Sequence, residues 1–126
     1  MALRDLVPES WPDELDSFSR QHEGWLVSIT TRSADKHLAI EARDLPLLGV
    51  SPASPRSSDI AISVGDSRQH LTHEVRDVEA VEIDVTGEHA ERGLIIHGRD
   101  GSTTRVEFRS PMRPEDVDGL PTPEHS

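Results

Sequence analysis

The sequence predicts an α+β domain, predominantly antiparallel β, with an N-terminal helix packed on a six- or seven-stranded barrel-like or sandwich sheet. Three observations lead there. Apolar residues recur with a period near 3.6 up to Gly24 and with a period of 2 after it. Most of the alternating segments are apolar on one face and charged on the other, as in an antiparallel sheet with one buried face. The gaps between them are too short for the crossover helices that parallel strands require.

The helix is expected over 12–23. Ser10 precedes it, Pro12 suits a first turn, and Asp13 and Glu14 sit where the helix dipole favours anions. Trp11, Leu15, Phe18 and His22 fall on one face, and Gly24 supplies the stop. The chain has only four aromatic residues, and Trp11, Phe18 and Trp25 lie in or beside this helix. That concentration marks a docking face rather than a ligand box.

Seven strands follow, over 25–30, 38–43, 60–64, 70–76, 81–85, 93–99 and 102–109. Asp100-Gly101 joins the last two, a dipeptide suited to a type I′ hairpin turn. Residues 44–58 interrupt the pattern. Their apolar half, Leu45 to Val50, is expected to tuck against the core, and the Pro/Ser-rich half to form a surface loop. The domain is expected over 10–110, after an N-terminal arm over 1–9 and before a disordered tail over 111–126 rich in proline and acid.

Composition narrows the function classes. At 126 residues the chain suits one domain with a real core. Cysteine is absent, so neither disulfides nor thiolate zinc sites are possible. Twenty-four acids against 13 bases give a formal charge of −11, which repels nucleic acid and anionic bilayers alike. The longest apolar runs are three residues, and the N-terminus shows no signal-peptide pattern. A cytoplasmic protein without a cofactor, meeting a protein partner, is expected.

No residue is predicted to be catalytic and none to bind metal. There is no G-x-S-x-G elbow, H-E-x-x-H pair or calcium loop. The candidates for binding are His73, His70, His37, Leu47 and Leu48. His70 and His73 form an H-x-x-H spacing, but on a strand residues three apart face opposite ways. His73 is therefore expected to be buried between Leu71 and Val75, and His70 exposed. Glu82 and Asp84 are expected on a solvent face. Leu47 and Leu48 belong to the apolar half of the 44–58 segment, an expected partner surface.

Trp11, Phe18-Ser19-Arg20 and His22-Glu23-Gly24-Trp25-Leu26-Val27, then Glu41-Ala42 and Leu45-Pro46-Leu47-Leu48-Gly49-Val50, form a pattern. His70-Leu71-Thr72-His73 and Asp100-Gly101 with Val106-Glu107-Phe108-Arg109 extend it. The pattern resembles a family of small bacterial proteins known only as a domain of unknown function. The resemblance spans about 11–111 and implies a helix followed by a β domain, with no reaction, cofactor or site attached. The leading reading is a non-catalytic protein-interaction module. Two others stand beside it: a ligand-binding or catalytic barrel that uses a buried His73 with His37, and an acidic neutraliser of a basic protein.

Overall fold

Gly24 adopts φ +88°, a conformation that favours glycine, and it divides the chain into a helix and a sheet. The computed structural model describes residues 2–54, 57–85 and 90–112. Helix α1 is Trp11–His22, entered through a 3-10 turn at Pro8–Ser10. It buries Trp11, Leu15, Phe18 and His22, the face that the 3.6-residue period marks out.

Among the described residues eight strands form the sheet: β1 (Ala2–Leu6), β2 (Leu26–Arg32), β3 (Leu38–Pro52), β4 (Ile60–Gly65), β5 (His70–Val75), β6 (Val78–Val85), β7 (Glu91–Gly98) and β8 (Thr103–Met112). Their order is β1-β6-β7-β8-β2-β3-β4-β5, and every neighbouring pair is antiparallel. The sheet is open, with β1 and β5 at its edges, and not a closed barrel.

Three departures from the expected architecture have clear physical causes. Residues 2–6, expected as an arm, pair with β6 as the eighth strand; Leu6 is buried, and its carbonyl accepts a 3.1 Å hydrogen bond from Trp11 Nε1. The segment expected to leave the sheet at Asp44 instead bends and continues. Asp44 takes φ +53°, and β3 passes from pairing with β2 to pairing with β4, at Leu47–Pro52. At the β7–β8 hairpin only Gly101 of the Asp100-Gly101 pair has positive φ (+89°), so the turn is not type I′. Gly101 N–H donates to Gly98 O and Gly98 N–H to Ser102 O, a type I turn closed by a glycine bulge. Of the expected tail, 111–112 continue β8, and the rest lies outside the described residues.

Where β3 has turned away from β2, α1 takes the missing neighbour's place. Ser19 Oγ accepts from Val50 N–H at 2.8 Å and lies 3.1 Å from Val50 O; before it, Leu47 still exchanges backbone hydrogen bonds of 2.8 Å with Gly24 and Trp25, just ahead of β2. Backbone groups freed by the bend are thus paired, as buried polar groups must be. Between α1 and the sheet lies one core, including Leu15, Phe18, Val27, Ile29, Ile62, Ile83, Ile96 and Phe108. No helix among the described residues is long and apolar enough to cross a membrane.

Candidate functional site

The five candidate residues do not meet in one place. Leu47 is wholly buried core. Leu48, the next residue on the strand, is exposed and lines a groove of about 770 Å³ between α1 and the β3–β5 half of the sheet, which His70 also reaches. His73 has the expected parity, on the same side of β5 as Val75, but it is only half-buried. The expectation of a buried His73 fails because β5 is an edge strand, with β4 on one side and, among the described residues, no strand on the other. His73 and His37 do line a common open cleft of about 420 Å³, beside Glu74, Arg76 and Asp100. Among the described residues no three His, Asp or Glu side chains are grouped to hold a metal ion.

The buried imidazole belongs to His22. It is fully enclosed, with the rings of Phe18, Trp25 and Phe108 each 4.6 Å from its own, centre to centre. Nδ1 lies 2.7 Å from the Phe18 carbonyl oxygen, and a carbonyl only accepts, so Nδ1 carries the proton. Nε2 is then bare in the neutral ring and lies 3.2 Å from Glu91 Oε1. That contact is close but poorly directed, and neither atom completes a hydrogen bond among the described residues. A narrow crevice lined by Arg4, Glu14, Ser17 and Gln21 reaches Glu91 from outside. Burial pushes the His22 imidazole below its ordinary value, partly offset by the Phe18 carbonyl. Burial pushes the Glu91 carboxyl up, opposed by the Arg4 charge and helped by Glu14.

Strict alternation hides this pair. Leu94 and Ile96 point inward, so Glu91 is out of phase with them and should point outward. Against β6, where Gly93 lies opposite Asp84 and Glu91 opposite Val85, β7 holds one extra residue, and that flips the side. Glu91 then stands opposite Val85, on the inward face.

The pair makes a prediction with a definite sign. A raised carboxyl stabilises the fold below its unfolded value near 4.5, and that stability is lost as pH rises through the folded value. A lowered imidazole acts the other way, and its stability is lost as pH falls through about 6.5, where the unfolded chain takes up the proton first. At pH 8 an ionised Glu91 faces a bare Nε2, acceptor against acceptor. Glu91→Gln puts an amide donor there, and a newly satisfied buried group is worth about 1–3 kcal/mol. Urea unfolding should show the variant more stable than the parent at pH 8, with the gain vanishing near pH 4. A variant less stable at pH 8 would mean that the pair is held as an ion pair instead.

The second feature is the sheet face turned away from α1. Leu38 and Ile40 on β3 and Leu3 on β1 are 65%, 53% and 50% exposed, and all three belong to this face. Ile95 on β7 also points this way, yet it is only 5% exposed. It forms the floor of a groove of about 300 Å³ whose walls include Leu3, Leu38, Arg32, Arg105 and His97. His97 Nε2 and Glu82 Oε1 meet at 2.8 Å at its side. Asp84, expected to face solvent, is buried on this face because Leu3 of the added strand lies opposite it. Arg92 Nε approaches it at 4.0 Å.

A model of a family of unknown function matches residues 3–117. No curated protein and no solved structure matches the chain.

Proposed function

The chain belongs to that family, DUF5335, and since membership assigns no reaction, we propose from the surface that it is a non-catalytic protein-interaction domain of the bacterial cytoplasm. The observation that carries this reading is the pair of exposed leucines Leu3 and Leu38 in the walls of the Ile95 groove, with exposed Ile40 on the same face. Scattered exposed leucines are ordinary, whereas large apolar groups gathered round a groove and rimmed by charge mark an interaction face. Nothing among the described residues covers it. The pockets elsewhere support the reading less well: the His37–His73 cleft is open, and the crevice at Glu91 has room for little beyond a water molecule, at about 30 Å³.

Replacing Leu38 with Gln and Ile40 with Thr tests it. Both positions are exposed, so stability should change by no more than about 0.5 kcal/mol each. The parent protein, immobilised and exposed to a lysate of its own organism, should retain a partner that the double variant loses. Equal retention by both proteins overturns the reading.

A further inference from the structure

We infer that the Ile95 groove takes an acidic, aliphatic peptide segment, with a leucine-like side chain on the Ile95 floor and a carboxylate between Arg32 and Arg105. The inference rests on the interaction reading above and adds the partner's chemistry. Its first support is charge. The chain is strongly acidic, yet the groove is lined by Arg32, Arg105 and His97 against one carboxylate, Glu82. Glu82 is engaged with His97 at 2.8 Å. Arg105 has only a loose 3.8 Å approach to Glu107, and Arg32 makes no ion pair among the described residues. Arg32 therefore stands without a carboxylate partner among the described residues, and Arg105 with only a loose one, on the same face.

Geometry is the second support. Arg32 pairs across the ladder with Thr103, and Thr30 with Arg105. The two arginines are diagonal neighbours on adjacent strands, about 7–8 Å apart at the backbone and within reach of one carboxylate. Arginine's planar fork suits bidentate carboxylate recognition. The hydroxyl-bearing Thr30 and Thr103 also line the groove and can accept backbone N–H groups. A lone small anion leaves the exposed leucines Leu3 and Leu38 of the walls, and Ile40 on the same face, unused. A segment that alternates carboxylate and aliphatic side chains covers both. The distant negative charge of the molecule opposes any acidic partner, but at physiological salt it is screened beyond about 8 Å. The nearby arginines then dominate.

Methyl NMR of the full chain with two labelled octapeptides tests this, one alternating Glu with Leu and the other Lys with Leu. The Glu–Leu peptide should shift the Leu3, Leu38 and Ile95 methyl signals saturably, and the R32Q/R105Q double variant should weaken its binding at least tenfold. Both arginines are exposed, and an unchanged melting temperature confirms that the variant is folded. If the Lys–Leu peptide shifts those methyls instead, or the double variant binds equally well, the acidic-partner inference is overturned while the interaction face stands. If neither peptide moves them, the inference is overturned and the interaction reading loses its groove as well.

Discussion

Gly93→Ala should leave little or no folded protein. Gly93 sits at the register break of β7 with φ +153°, and a Cβ built there lies 1.8 Å from the Val106 carbonyl oxygen, with Val106 C and Glu107 Cα at about 3 Å. All three are backbone atoms of the neighbouring strand, so no side chain can rotate aside. Relief requires β7 and β8 to separate, at the place where the break turns Glu91 toward His22. Strained φ and overpacking each cost about 1–3 kcal/mol, and here they act together without an escape. The sum, about 2–6 kcal/mol, reaches into the range of a small domain's whole stability. Thermal unfolding by circular dichroism checks it. A melting point within a few degrees of the parent would show that the β7–β8 ladder opens cheaply.

Phe18→Ala should cost about 3–5 kcal/mol, the range for deleting a fully buried phenylalanine. Phe18 is 3% exposed and lies between α1 and the sheet, its ring 5.6 Å from Phe108 and 4.6 Å from His22. The expected cost lies toward the upper end because the site is badly placed to collapse. Phe108 is fixed in β8 and Trp25 by the backbone bonds to Leu47, so neither can move far into the space. The vacated volume also adjoins the His22–Glu91 contact, and water entering there would relieve the burial that holds the imidazole neutral. Urea unfolding at pH 8 and pH 5.5 should therefore show a large loss of stability and a shallower pH dependence than the parent. A loss below 1 kcal/mol would place Phe18 outside the core.

The helix was legible because its signals agree: a proline in the first turn, acids at the dipole's positive end, four large groups on one face and a glycine stop. The strands were legible wherever alternation was strict, as in Ile60–Ile62–Val64 or Val81–Ile83–Val85. What escaped detection lies where a local irregularity overrides the period. Ala2–Leu6 is too short and too charged to read as a strand, and only β6 makes it one. Asp44 signals a break correctly, yet one residue in a left-handed conformation bends a strand without ending it. The one-residue shift beside Gly93 reverses the side on which Glu91 appears, and so hides its meeting with His22. Parity predicted the direction of His73 but not its depth, which depends on strand order. Of the uncovered face, Leu38 and Ile40 were visible as alternating residues while Leu3 lay in the expected arm, and their assembly depends on which strands are neighbours.

The strand order also bears on how the chain is made. Ala2 pairs with Val85 and Val27 with Phe108, partners separated by 83 and 81 positions. Hairpins such as β4–β5 and β7–β8 can close within microseconds of leaving the ribosome. β1 cannot pair until β6 has been synthesised, and the aromatic side chains of α1 wait for Phe108. At about 5–20 residues per second, that interval is about 4–17 s. During it Leu6, Trp11, Leu15 and Phe18 lack their partners from β6 and β8. Until β6 and β8 emerge, these apolar side chains are therefore open to the association that exposed hydrophobic surface promotes.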